Sequence, residues 1–79
     1  MKHFTYILRC SDGSYYTGIT WNLKKRIFEH NHKIKSSLQN TKLPVKLAYW
    51  EVFESKILAA KREKEIKGWR REKKEELFM

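Results

Sequence analysis

Two apolar, aromatic-bearing runs open the chain, Lys2–Cys10 and Tyr15–Thr20, and both read as strands. The segment between them, Ser11-Asp12-Gly13-Ser14, carries the Asp-Gly pair that favours a hairpin. From Leu23 the apolar period lengthens to that of a helix. Leu23, Ile27 and Ile34 share one stripe with His30 between them, and Asn22 stands ahead as an N-cap. This helix is expected to run to about Lys35. Ser36–Lys42 is polar and reads as a loop that Pro44 closes. Val45–Phe53 reads as a third strand, apolar on both faces apart from Lys46 and Glu51. A second helix is expected after Ser55 as N-cap and should stop at Gly68, a residue suited to a left-handed C-terminal cap. The charged stretch Arg70–Leu77 reads as a short last helix. The order β-β-α-β-α-α predicts an α+β domain in which an antiparallel sheet is partly covered by helices.

The hairpin register has a chemical consequence. A two-residue Asp12-Gly13 turn sets Tyr6 opposite Ile19 and sends Tyr6 and Tyr16 to opposite faces. A three-residue Ser11-Asp12-Gly13 loop, with Gly13 left-handed in a bulge, pairs Tyr6 with Gly18 and puts both tyrosines on one face. Turn chemistry alone allows either.

Composition narrows the setting. With 79 residues the chain makes one domain, residues 1–79, near the lower end of what folds without staples. Its 41% hydrophobic and 14% aromatic content supports a small core and argues against disorder. Cys10 is the only cysteine, which excludes an internal disulfide and a cysteine-based zinc site, so a reduced, cytoplasmic protein is expected. No apolar run approaches the roughly 20 residues of a membrane helix, and no segment has the broad apolar face of a membrane-surface helix. The net charge is +9, of which residues 1–50 carry +7. Such an excess attracts polyanions at long range and gains affinity through counterion release.

Several side chains fall where chemistry is feasible. Arg26 and His30, four apart, lie one above the other on the first helix and border its apolar stripe. Alone, each has an ordinary role, as a solvated cation and a half-buried, hydrogen-bonded imidazole. Ala59, Glu63 and Ile66 recur at helical spacing, which turns the Glu63 carboxylate toward the core face. An inward carboxylate needs a partner. Spacing alone favours an Arg or Lys; a hard cation such as Mg²⁺, held by a carboxylate with waters and phosphate oxygens, is the other choice. The three histidines, His3, His30 and His32, make no zinc spacing, and there is no glycine-rich phosphate loop. Cys10 reads as a core residue, and Trp21, Trp50 and Trp69 as core or rim aromatics, with base stacking open to an exposed one.

Taken in order, Tyr6, Tyr16-Thr17-Gly18, Arg26, His30 and Glu63 resemble the GIY-YIG nuclease superfamily, and within it the small stand-alone members related to the N-terminal nuclease domain of the UvrC repair protein. The matching text is TYILRCSDGSYYTGITWNLKKRIFEHN, then TKLPVKLAYWEVFES, then AAKREKEIKGW. It covers nearly the whole chain, from about Phe4 to Leu77. The first motif reads Phe-Thr-Tyr for Gly-Ile-Tyr and the second Tyr-Thr-Gly for Tyr-Ile-Gly, and both keep their tyrosines. A late asparagine used by some members has no counterpart, since the last asparagine here is Asn40.

The resemblance implies an α/β sandwich around a three-stranded antiparallel sheet, and a DNA endonuclease or nicking enzyme using one divalent ion. It implies that Glu63 holds Mg²⁺ or Mn²⁺. Either Tyr6 or Tyr16 would be general base toward the attacking water, Arg26 would stabilise the phosphate and His30 would support the base. Gly18, Lys24, Lys25, Lys33 and Lys35 are the expected nucleic-acid contacts. With no attached DNA-binding domain, targeting would fall to the basic surface, a homodimer or a protein partner. A nucleic-acid-binding module that keeps the fold but cuts little is the alternative; for a structural adaptor nothing specific speaks.

Overall fold

In a computed structural model covering residues 1–79, the chain forms β1 (His3–Arg9), β2 (Tyr15–Thr20), α1 (Leu23–Asn31), a 3-10 turn at Asn40–Lys42, β3 (Lys46–Phe53), α2 (Lys56–Lys67) and α3 (Arg71–Glu75). The sheet is antiparallel with order β2-β1-β3. As the central strand, β1 is buried continuously from Thr5 to Leu8, whereas neither edge strand has so long a buried run. The expected α+β order and three-stranded sheet are what the chain forms.

The hairpin takes the three-residue loop. Cys10 N–H donates to the Ser14 carbonyl at 2.8 Å, and Gly13 N–H donates to the Cys10 carbonyl at 3.0 Å. Gly13 has φ +87°, the left-handed value that a side chain disfavours. Asp12 Oδ1 accepts from the Ser14 N–H and hydroxyl at 3.0 and 2.6 Å, bracing the turn. The resulting register sets Tyr6 opposite Gly18.

Each sheet face has its own cover. Thr5 Oγ1 donates to the Ala59 carbonyl at 2.8 Å, and Arg62 bridges to Glu51, the β3 partner of Thr5, at 3.0 Å. These contacts lay α2 on the Thr5 face, where Ala59 and Ile66 are fully buried. On the other face Tyr6, Leu8, Cys10 and Val45 form a core against Leu23 and Ile27 of α1 and against Leu38, Leu43 and Leu47. Cys10 is therefore a core residue, as expected. The C-terminal α3 clasps the hairpin: Tyr15 donates to Glu75 at 2.6 Å, Phe78 meets the Tyr15 ring edge-on, and Arg71 donates to the Gly13 carbonyl.

Beyond shifts of one or two residues at element ends, some details differ from expectation. The N-caps Asn22 and Ser55 form as read, each accepting from an N–H three residues on. However, α1 stops at Asn31, short of Lys35. Lys33 adopts φ +57°, the Ile34 N–H reaches back to the Glu29 carbonyl and the Lys33 N–H to that of His30. This is a Schellman cap built on a lysine where glycine is usual. Ile34 consequently leaves the helical stripe and is exposed. Gly68 is right-handed, with φ −81°, because N–H groups of Gly68 and Trp69 tighten the last turn onto Glu65 and Ile66; Arg70, extended at ψ 162°, ends the run. Val45 precedes β3 because the Asn31 amide takes both of its backbone groups, at 2.6 and 3.2 Å.

The Tyr6–Gly18 pairing leaves no room for a β-carbon. One built on Gly18 would lie 2.6 Å from Tyr6 Oη, 2.8 Å from Cζ and 3.0 Å from Tyr16 Cε2. Gly18→Ala must displace a buried ring, and is expected to destabilise the fold by about 1–3 kcal/mol. Urea unfolding measures it, and a stability equal to wild type would mean that the Tyr6 ring moves freely.

Candidate active site

The bulged hairpin places Tyr6 and Tyr16 on the face that α1 covers, with ring centroids 6.3 Å apart. Tyr6 is 1% exposed and Tyr16 is half-buried. His30, on the last turn of α1 and 1% exposed, brings Nε2 within 3.1 Å of Tyr6 Oη and stands edge-on to Tyr16 at 5.1 Å. Its Nδ1 lies 2.8 Å from Ser36 Oγ. Burial and the charge of Arg26 hold the His30 pKa below its ordinary value, which favours the neutral ring. A neutral imidazole donates once and accepts once, so Ser36, His30 and Tyr6 form a chain polarised in one direction for either tautomer. Sequence reasoning did not find Ser36, which lies beyond the end of α1 where no helical spacing links it to His30.

Burial, reinforced by Tyr16, pushes the Tyr6 phenol up to about 12; Arg26 opposes that push and Glu63 adds to it. Tyr6 is thus a firmly protonated phenol near neutrality. Arg26 is held from one nitrogen: Nη1 donates to Glu29 Oε1 at 3.1 Å and to the Lys35 carbonyl at 3.0 Å. Glu29 was also missed, although its position three residues after Arg26 on one helix was a legible signal.

Glu63 comes from the other side. Its helix, α2, crosses β1 and β2 on the far face of the sheet. The carboxylate is still near enough to act on the Tyr6 phenol. Glu63 Oε2 lies 3.2 Å from Lys67 Nζ, so the expected lysine partner exists, but the glutamate side chain is 22% exposed and the lysine 55%. An exposed i,i+4 pair of this kind contributes about 0.3–0.5 kcal/mol and leaves the carboxylate open to a competing cation. No three His, Cys, Asp or Glu side chains converge, which rules out a cage made of protein ligands alone. A single open carboxylate fits a hard ion that keeps its waters and takes phosphate oxygens.

The expected basic contacts divide. Lys25 and Lys35 line a cleft of about 450 Å³ together with Arg26, Glu29, Trp21 and Lys56. Lys24 and Lys33 are exposed and lie outside that lining, and Gly18 is buried beneath Tyr6. Lys33 occupies the left-handed position of the α1 cap. Lys56 was not singled out from the sequence; it belongs to α2 and reaches the cleft only through the fold.

Two titrations follow. In a difference titration of tyrosinate absorbance, Tyr6→Phe should remove the phenol ionising near pH 12; a high-pH component that persists in the variant would contradict the buried, His30-bonded phenol. For His30, the folded pKa lies below the unfolded value of about 6.5. Its stability contribution is therefore complete above that value and is lost as pH falls through the folded pKa. The drop in Tm between pH 7.5 and pH 5 should shrink in His30→Gln; an unchanged drop would show that His30 titrates normally.

A family profile described as the GIY-YIG catalytic domain matches residues 2–76. A UPF0213 protein of Staphylococcus saprophyticus is 45% identical over 98% of this chain and 94% of its own length. One from Haloquadratum walsbyi is 41% identical over 95% and 84%. The solution NMR structure of a UPF0213 protein from Bacillus halodurans superposes with a TM-score of 0.62 at 39% identity, over 98% of this chain and 82% of that one. A second NMR structure, of a protein from E. faecalis, gives a TM-score of 0.65 at 34% identity, over 96% and 81%. With its bulged hairpin, its paired tyrosines and a nuclease-type fold over nearly its full length, the chain belongs to the GIY-YIG family, in the small UPF0213 branch.

Proposed function

We propose that the protein is a metal-dependent endonuclease that hydrolyses or nicks phosphodiester bonds, with DNA as substrate. The observation that carries this is the meeting of Tyr6, Tyr16 and His30 beside Arg26 on the α1 face of the sheet.

Tyr16 is the general base. Its ring is only half-buried, whereas Tyr6 is sealed, protonated and bonded to His30. A phenol titrates near 10, so Tyr16 needs positive charge nearby to act near neutrality. Arg26 supplies part of it and presents its remaining nitrogens to the phosphate oxygens in a planar fork. As the phenolate, Tyr16 Oη takes the proton of a water whose oxygen attacks phosphorus; the ester P–O bond breaks, and the leaving alkoxide is protonated from solvent. Tyr6 and His30 fix the ring of Tyr16 from two sides, and Ser36 fixes His30. Glu63 would hold Mg²⁺ or Mn²⁺, which when bound supplies positive charge at the phosphoryl oxygens and the leaving alkoxide.

The Lys67–Glu63 pair favours a second function, that of a nucleic-acid-binding module with little cleavage, since a metal ion at Glu63 has to compete with the Lys67 ammonium. A supercoiled-plasmid assay with Mg²⁺ or Mn²⁺ separates the two. Nicking that falls by about 10²–10⁴-fold in Tyr16→Phe, and comparably in Glu63→Gln, supports the enzyme. Equal activity in wild type and Glu63→Gln would assign the cutting to a contaminant. Salt-sensitive binding without metal-dependent cutting of duplex, branched or single-stranded DNA would support the module.

A further inference from the structure

Trp21 is the residue that neither the core nor the catalytic arrangement uses. It lies between β2 and α1, immediately before the N-cap Asn22, and is 55% exposed. A hydrophobic residue there ordinarily packs on the fourth residue of the helix as a staple. Here that fourth residue is Arg26, which is committed to Glu29 and the Lys35 carbonyl. The indole therefore has no apolar partner on the helix and lines the cleft of about 450 Å³ beside Arg26. Lys25 Nζ stands 5.7 Å from its ring centroid. Lys35 and Lys56 complete the wall, and none of these three lysines makes a salt bridge, while Glu29, the one acid in the lining, is taken by Arg26.

We propose that this cleft is a subsite for one unpaired nucleotide next to the phosphate held at Arg26: its base stacks on Trp21, and the flanking phosphates meet Lys25, Lys35 and Lys56. The volume suits one nucleotide. An indole with a free face binds any base by stacking, and lysines bind phosphates as point charges. Stacking requires an exposed base face, which a continuous duplex hides. The preferred substrate is therefore single-stranded, frayed or branched nucleic acid. The position next to the scissile phosphate rests on the nuclease function proposed above; the stacking and phosphate contacts do not.

Fluorescence anisotropy in EDTA, with a labelled single-stranded oligonucleotide and the matching duplex, reads binding apart from cleavage. Wild type should bind the single strand at least tenfold more tightly than the duplex. Trp21→Ala should weaken single-strand binding by about 5- to 150-fold, and Trp21→Phe should restore most of it. Trp50→Ala, which removes another exposed indole away from the cleft, should change nothing. Changing Lys25, Lys35 and Lys56 together to Ala should lower the salt slope of single-strand binding by about 2. A nucleoside monophosphate that competes as well as the oligonucleotide would assign the cleft to free nucleotides and overturn the strand assignment. Equal affinity for both strand forms, or unchanged binding in Trp21→Ala of native Tm, would overturn the subsite. Metal-dependent nicking that persists in Trp21→Ala with unchanged binding would remove the subsite and leave the nuclease, whereas Trp21-dependent binding without nicking would do the reverse.

Discussion

The hydroxyl of Tyr6 reaches His30 only because Gly18 offers it an empty place across the strand pair. A phenol lying over a neighbouring backbone needs a residue without a β-carbon beneath it, and it needs the register that brings that residue opposite. Both conditions are set in the hairpin, where the left-handed Gly13 adds one residue to the turn. Without that residue every β2 side chain reverses, Tyr16 goes to the α2 face, and His30 meets neither a hydroxyl nor a ring edge. The core on the α1 face and the candidate active site are thus built from one pairing.

Polarity is then distributed around this pairing by burial. Tyr6 and His30 share a dry environment in which each is pressed toward its neutral form, so their hydrogen bond is not weakened by solvent. Arg26 remains at the margin, fixed through Nη1 and set against the Tyr6 phenol, whose pKa it pulls down. Glu63 approaches from the opposite side of the sheet. Charges of opposite sign are thereby brought near one phenol without forming a sealed ion pair with each other, which leaves electrostatic capacity for an anionic ligand.

Much of this was legible in the sequence, for identifiable reasons. Asn22 and Ser55 cap helices through local side-chain bonds, and the Ala59, Glu63, Ile66 spacing repeats at the helical period, so both readings needed only near neighbours. The register was reducible to two possibilities but not to one, because a turn that tolerates both lengths is decided by packing of Tyr6 over Gly18. The end of α1 was misplaced for a similar reason: a lysine took the left-handed cap, and Asn31 was drawn to Val45, fourteen positions on. Gly68 had the residue type of a left-handed cap and did not need it, since a tightened last turn satisfied the same carbonyls. Ser36, Lys56 and the clustering of lysines around Trp21 depend on contacts between elements, which no local pattern encodes.

The Asn31 amide bonds both the N–H and the carbonyl of Val45, standing in for a stretch of partner strand. It closes residues 32–44 into an excursion held at its ends by this clamp, while Leu38 and Leu43 pack into the core and Lys42 ties it to Asp12. Loop-closure entropy grows only slowly with length, so a clamped excursion of this kind tolerates insertions at its exposed residues Gln39, Asn40 and Thr41 while the residues that meet at Tyr6 stay in place. The same clamp makes the excursion a modular surface element: its tip is free to diversify, whereas its root is tied to the helix that carries Arg26 and His30.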